Sequence, residues 1–158
     1  MEFDVNKAIQ YFQSVVTEHY ADFNGRVPRK DYWTYVAVYF VTAIGVSVVE
    51  RIVGLGLLSL LQLALLLPSA GMTARRLQDT GKSGSLVWLL MIPVLITSLV
   101  SFLLAMTFGL FGLLIMFIPL LPVLGLVGLI AAVYLIYLCV QPGTQGSNPY
   151  GPEPAPAT

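Results

Sequence analysis

Long apolar blocks constrain this chain more than any other feature of its sequence. Three of them lie between residues 32 and 140, and one polar segment, residues 73–85, interrupts them. A helix of about 20 apolar residues crosses the hydrocarbon core of a bilayer. A soluble domain of this size has no interior that could bury three such blocks. The sequence therefore predicts an integral membrane protein.

The charge content agrees with this prediction. The chain has eight Lys or Arg and eight Asp or Glu among 158 residues, whereas soluble domains carry about 25% charged residues. The net charge of zero gives no electrostatic case for nucleic-acid binding. Nothing outside the apolar blocks is long enough for a second core, so we expect one membrane domain over residues 1–151. A Pro-rich tail, 152–158, is expected to be disordered.

The hydropathy pattern predicts an all-α polytopic membrane helix bundle with four transmembrane helices. These four spans are placed at about residues 32–53, 55–72, 86–106 and 112–140. The last two come from an uncharged block that has room for two helices and a turn. We place that turn at 107–112, with Pro119 and Pro122 as a competing break.

An amphipathic helix is predicted to precede the spans, over residues 4–20. Val5, Ile9, Phe12 and Val16 recur at helical spacing and form its apolar stripe. Such a stripe suits a helix that lies in the membrane interface. Packing of the same stripe on the spans is the alternative, and the sequence leaves both open.

The basic residues orient the bundle. Seven of the eight fall on one side of the predicted spans, and only Arg51 falls on the other. These seven are Lys7, Arg26, Arg29, Lys30, Arg75, Arg76 and Lys82. Because loops rich in Lys and Arg stay in the cytoplasm, we expect a multi-pass protein of the bacterial cytoplasmic (inner) membrane with both termini cytoplasmic.

Three polar segments then converge on the cytoplasmic face, and we call them together the polar cap: residues 20–33, 74–84 and 142–151. They carry the patterns F-x-G-R-x-x-R-x-x-Y-W, R-R-L-x-D-T-G-K-S-G and P-G-x-x-G-x-N-x-Y-G, in that order. This combination resembles the YhaH-like family of small bacterial inner-membrane proteins, known as domain of unknown function 805. The resemblance implies an inner-membrane location and no particular activity. It also implies a His where this chain has Gln78.

The polar cap holds the candidate site. Arginine suits bidentate contacts with carboxylates and phosphates, so Arg75 and Arg76 are expected to pair with Asp22 or Asp31, or with lipid phosphates. Three roles stay open: a clamp on the helix ends, a site for anionic headgroups, and a site for a soluble ligand or protein partner. The candidate residues are Arg26, Arg29, Asp31, Arg75, Arg76, Asp79, Lys82 and Asn148.

Several chemistries are not supported by the sequence. Gly81-Lys82-Ser83 does not make a phosphate-binding loop, because Arg76 stands where that motif needs Gly and an apolar helix precedes it. His19 is the sole histidine and Cys139 the sole cysteine, so no metal site of the usual His and Cys types is expected. We expect no catalytic, metal or cofactor residues. Gln62, the most polar residue within the second span, is interpreted as an interhelical contact.

The predicted function is therefore a non-catalytic scaffold or accessory protein of the inner membrane. The expected partners are membrane lipids with anionic headgroups, a protein partner or a second copy of the chain, and not nucleic acid. A small transporter or channel component is the alternative. That alternative would need a hydrated path, and the predicted spans carry no ionisable residue at their centres.

On the last span, Gly128 with Ala132, and Tyr134 with Tyr137, are interpreted as helix-packing positions.

Overall fold

The computed structural model describes residues 4–53, 57–106 and 119–155, which form helices and connecting segments without a strand. The helical class predicted from the sequence is confirmed. The helices, numbered in chain order, are α1 (Val5–Thr17), α2 (Arg29–Val53), α3 (Leu57–Asp79), α4 (Trp88–Met106) and α5 (Leu120–Val140), with a 3₁₀ turn at Gly84–Val87. The chain divides into two compact units. One unites the described residues up to Gly84 with those from Gln141 onward, and the other is Ser85–Val140.

Helix α1 packs against α2 and α3 with part of its apolar stripe. Ala8 and Val15 are buried, and the ring of Phe12 stacks on that of Tyr35 with centroids 5.2 Å apart. Burial, together with the negative charge of Asp31, raises the pKa of Tyr11 to about 12. One of the two predicted arrangements, packing on the spans, therefore holds for this side of the helix.

The other part of the α1 stripe stays uncovered. Val5 and Ile9 are exposed although they were predicted to share the apolar face. The buried positions, Ala8 and Val15, lie beside this stripe on the helix surface. The exposed edge is free to contact the membrane interface, as the sequence predicts.

Among the described residues, two helical segments are long and apolar enough to cross a membrane, Arg29–Ile52 and Leu120–Val140. Only 11% and 22% of their most apolar stretches are buried within the chain. A core helix of a soluble protein would be buried over most of its length, so these exposed apolar surfaces fit a lipid environment.

Helix α3 extends beyond the segment predicted to cross the membrane. It continues to Asp79, so its last two turns carry Arg75, Arg76 and Asp79. The hydroxyl group of Tyr35 on α2 lies 2.9 Å from that of Ser69 on α3. This contact joins the two helices below the polar cap.

Helices α4 and α5 pack on each other in the second unit. A Cβ atom at Gly128 would lie 3.7 Å from Cβ of Pro93, an ordinary packing distance. Helix α5 begins directly after Pro119, the position of the competing break. Tyr134 and Tyr137, which were interpreted as helix-packing positions, are exposed among the described residues.

Two predictions lie outside what is described. The turn at residues 107–112 falls in the range 107–118, and the side chain of Gln62 falls in 53–63. The four-span count stays a prediction.

Candidate functional site

The polar cap is organised around one carboxylate. Asp79 is 3% exposed and stands in the last turn of α3, where it accepts hydrogen bonds from two arginines. Arg26 donates through Nε to Oδ1 at 3.0 Å, and Arg76 donates through Nη1 to Oδ2. Removing charged groups from water is costly unless they are paired and hydrogen-bonded, and this arrangement places two guanidinium groups on one carboxylate.

Arg76 links the first two segments of the cap to Gln141, the residue that precedes the third segment. Its side chain is fully buried, which is rare for arginine. Besides Asp79, it donates to the backbone carbonyl of Val27, at 3.4 Å, and to that of Gln141. Val27 lies in the connector before α2 and Gln141 follows α5, so one side chain holds two distant parts of the sequence against the end of α3.

Arg26 makes the complementary link from the connector to the C-terminal segment. Its Nη1 donates to the carbonyl oxygen of Gly146 at 2.6 Å, and its Nη2 donates to that of Thr144. The side chain is 2% exposed. With Nε on Asp79, every guanidinium nitrogen of Arg26 has an acceptor.

The C-terminal segment also bonds directly to the end of α3. The backbone N–H of Thr144 donates to the carbonyl oxygen of Asp79 at 2.8 Å, and its hydroxyl donates to the same oxygen at 3.0 Å. Asn148 donates to the carbonyl of Gln78 and to the Thr144 hydroxyl, both at 2.9 Å. The last carbonyls of a helix have no partner within it, so these contacts cap α3.

Two glycines permit the close approach of the segments. A Cβ atom at Gly143 would lie 2.9 Å from Cγ of Asp79, and one at Gly71 would lie 2.7 Å from the carbonyl oxygen of Asp22. Both distances are too short for a side chain. Glycine is therefore required where the C-terminal segment meets Asp79 and where the connector crosses α3.

Arg75 occupies a separate position. It is buried, and its Nη1 lies 3.7 Å from Oδ2 of Asp22, a half-exposed carboxylate. The expected pairing of Arg75 with Asp22 is confirmed. Asp31 is half-buried in the first turn of α2 and forms no salt bridge with an arginine in the described part of the chain. Arg76 pairs instead with Asp79 on its own helix.

The structure thus divides the predicted site residues into two groups. Arg26, Arg76, Asp79 and Asn148 belong to one hydrogen-bonded network, completed by Thr144. The remaining ones lie outside it and are Arg29, Asp31, Arg75 and Lys82. Arg29, the first residue of α2, and Lys82, in the turn after α3, are both exposed.

An open cavity of about 370 Å³ lies beside the network. Its wall includes Arg26, Arg76 and Asp79. It is also lined by Arg29, at the start of α2, and by Glu153, in the C-terminal segment. The arginines of the network contribute positive charge, but their donors are engaged, and two carboxylates share the cavity. In the described part of the chain, no group of three His, Cys, Asp or Glu residues could hold a metal ion.

Several contributors could not be found by sequence reasoning. Thr144 and the carbonyls of Val27 and Gln141 act through backbone atoms or a common hydroxyl, which carry no sequence signature. Gln78 is another: its side-chain amide donates to the carbonyl of Phe23 at 2.9 Å. For Gln78, the one sequence feature that could have indicated this role is its position within a charged motif.

Comparison with known proteins identifies the family. The family model for a protein of unknown function, DUF805, matches residues 20–152, which include all three segments of the polar cap. No solved structure matches the chain.

Two relatives come from Escherichia coli strain K12. The inner membrane protein YhaI is 36% identical over 88 residues, which cover 54% of this chain and 74% of YhaI. The uncharacterized protein YiiR is 33% identical over 75 residues, which cover 44% of this chain and 49% of YiiR. With the family match over most of its length and helices apolar enough to span a bilayer, the chain belongs to the DUF805 family of membrane proteins of unknown function.

Proposed function

We propose that this protein is a non-catalytic scaffold or accessory protein of the inner membrane, crossing it four times with both termini in the cytoplasm. The polar cap holds the cytoplasmic ends of the helices together. Its exposed basic residues face the headgroup region, where anionic lipid or a protein partner binds.

The observation that carries the proposal is the engagement of two buried arginines, Arg26 and Arg76, by acceptors within the protein. Arg76 bonds to Asp79, Val27 and Gln141, and Arg26 bonds to Asp79, Thr144 and Gly146. A buried guanidinium group that donates to several acceptors of the protein serves to fix geometry. Binding an external phosphate with either arginine would require these bonds to break first.

The distribution of exposed charge supports the orientation. Arg29 and Lys30 begin α2 and Arg51 stands in its last turn. Lys82, which follows α3, lies with Arg29 and Lys30 at the end of the helices that carries the polar cap, whereas Arg51 lies at the other end of α2. The positive-inside rule assigns that end to the cytoplasm.

Labelling of single cysteines tests the topology in the full chain. In a Cys139→Ala background, Lys82→Cys should be unreactive towards a membrane-impermeant maleimide in intact cells and reactive after lysis. A green fluorescent protein fused after Thr158 should fluoresce, which reports a cytoplasmic C-terminus. Labelling of Lys82→Cys in intact cells, or a dark C-terminal fusion at normal expression, would contradict the orientation.

Flux measurements test the prediction that the protein is not a transporter. Purified protein in liposomes should pass no ions or protons beyond the leak of empty vesicles. Flux that Gln62→Leu abolishes would replace the scaffold by the transporter.

A further inference from the structure

A shallow groove lies along the first three turns of α2 and shares Arg29 with the cavity beside the buried network. Its volume is about 570 Å³, and it is lined by Arg29, Lys30, Trp33, Thr34 and Ala37. Arg29 and Lys30 are exposed, and Trp33 and Thr34 are half-buried. Two cations, an amphipathic aromatic ring and a hydroxyl therefore border one open space.

The groove continues into an apolar stripe. Lys30, Thr34, Ala37, Val41 and Ile44 follow one another at steps of four and three residues, so they share one face of α2. Phe40, Val41 and Ile44 are 60%, 73% and 62% exposed. The order along this face is cation, interfacial aromatic, and then hydrocarbon.

A phospholipid has the same order of chemistry. Half of the hydrocarbon core is about 15 Å thick, which corresponds to about ten helical residues at 1.5 Å each. The apolar face from Ala37 onward therefore matches one acyl chain in length. Trp33 stands at the level where tryptophan favours the membrane interface.

The charges decide where the phosphate binds. The neighbouring cavity presents the carboxylates of Asp79 and Glu153, which repel a phosphate, and the donors of Arg26 and Arg76 there are engaged. The groove presents Arg29 and Lys30 without a lining carboxylate. Asp31, next in sequence, is not a lining residue, and its carboxylate interacts electrostatically with Lys30 and with Tyr11 of α1.

We propose that this groove binds a phospholipid with an anionic headgroup, its phosphate on Arg29 and Lys30, its ester region on Trp33 and Thr34, and an acyl chain along Ala37, Val41 and Ile44. The site rests on the proposed function in that the start of α2 must lie at the cytoplasmic interface. The proposed site identifies an anionic phospholipid as the partner of the exposed basic residues. Lipid binding is thereby assigned to residues outside the buried network.

Quenching of tryptophan fluorescence tests this site in the full chain. The variant Trp88→Phe leaves Trp33 as the sole tryptophan. The protein is reconstituted in phosphatidylcholine vesicles, and phosphatidylglycerol with brominated acyl chains is compared with brominated phosphatidylcholine. Brominated phosphatidylglycerol should quench Trp33 at a several-fold lower mole fraction. Each basic residue near an anionic surface contributes about fivefold in binding.

The double variant Arg29→Gln, Lys30→Gln should abolish this preference while both lipids still quench Trp33, which shows that the protein stays folded in the bilayer. Arg51→Gln removes one exposed positive charge from the last turn of the same helix, outside the groove and the polar cap, and should leave the preference intact. Equal quenching by the two lipids before mutation, or a preference that survives the double variant, would overturn the site. The topology of the chain is tested separately, at Lys82 and after Thr158. A failed lipid test can therefore be distinguished from a failure of the proposed function.

A second readout covers the case in which Trp88→Phe does not fold. With both tryptophans retained, phosphatidylglycerol should raise the melting temperature in detergent more than phosphatidylcholine does, and the double variant should lose that difference. If a second copy of the chain covers the apolar stripe instead, Val41→Cys in a Cys139→Ala background should form disulfide cross-links efficiently in membranes. That result would overturn the lipid assignment in favour of a dimer.

Discussion

The polar cap and the helix pair α4–α5 are held together by different physical means. In the cap, side chains bond to partners far away in sequence: Arg26 to Asp79, and Asn148 to Gln78. In the helix pair, the hydroxyls of Thr97 and Ser98 bond to carbonyls of α4 itself, at 2.9 and 2.7 Å. The cap therefore depends on particular donors and acceptors, whereas the pair depends on the shape and volume of its packed residues.

This difference determines how each region responds to mutation. Removing one member of a buried charged network leaves the others without partners, at a cost of several kcal/mol. Removing a hydroxyl that bonds to its own helix costs little, because such bonds compete with the helix rather than joining two elements. In the α4–α5 pair, changes in side-chain volume should cost more stability than the removal of a hydroxyl group.

The largest effect is expected for Asp79→Asn, which keeps the shape of the side chain and removes its charge. Arg26 and Arg76 would then be buried without a counter-charge, so the free energy of unfolding should fall by about 3 to 5 kcal/mol. Thermal and denaturant unfolding in detergent measure the change. Asp22→Asn is the matched control: its carboxylate is half-exposed and 3.7 Å from Arg75, so it should cost less than about 1 kcal/mol. Equal losses for the two variants would contradict the account of the cap.

A smaller decrease in the free energy of unfolding is expected for Gly143→Ala. The new methyl group would overlap the carboxylate of Asp79, which two arginines hold in place. Overpacking of this kind costs about 1 to 3 kcal/mol, measured by the same unfolding experiments. Gly45→Ala is the control, since nothing lies within 4 Å of a Cβ atom there. A loss at Gly45 as large as that at Gly143 would mean that the clash is not the cause.

In the helix pair, side-chain size at Gly128 should matter. Gly128→Ala places a methyl group at an ordinary distance from Pro93 and should be neutral, whereas Gly128→Leu should separate the helices and cost about 1 to 3 kcal/mol. Disulfide trapping between cysteines introduced on α4 and α5, in a Cys139→Ala background, would report the separation. Comparable stability of the two variants would show that the helices do not pack at this position.

The smallest effect is expected for Ser98→Ala. Its hydroxyl bonds to Val94 on the same helix, so the melting temperature in detergent should change little, by less than the equivalent of about 0.5 kcal/mol. A loss comparable to that of Gly128→Leu would reveal a polar contact between helices and remove the contrast with the cap.

Sequence reasoning found the helices and the convergence of the three motifs, because hydropathy and motif order carry that information. It ended the second span near residue 72, where apolar residues stop, yet α3 continues to Asp79. Hydropathy locates the bilayer boundary and not the helix end, and Arg, Leu and Gln in this stretch are good helix formers.

The pairing within the candidate site was harder to predict. Arg76 was expected to pair with Asp22 or Asp31, whereas the structure pairs it with Asp79, three residues ahead on the same helix, where an i, i+3 pair is geometrically available. The carbonyl acceptors of Val27 and Gln141 have no counterpart in the sequence pattern, since every residue has a carbonyl group. Exposure of Tyr134 and Tyr137 was missed because an apolar helix does not reveal which side meets protein and which meets lipid.

A double-mutant cycle between Arg26 and Asp79 tests the central claim that the cap is one coupled network. The free energy of unfolding is measured in detergent for the starting protein, Arg26→Gln, Asp79→Asn and the double variant. Since the two side chains share a buried charged bond at 3.0 Å, the losses should be non-additive, with a coupling energy of about 1 to 3 kcal/mol. Losses that add to within about 0.5 kcal/mol would show that the connector and the end of α3 are not held together by this contact.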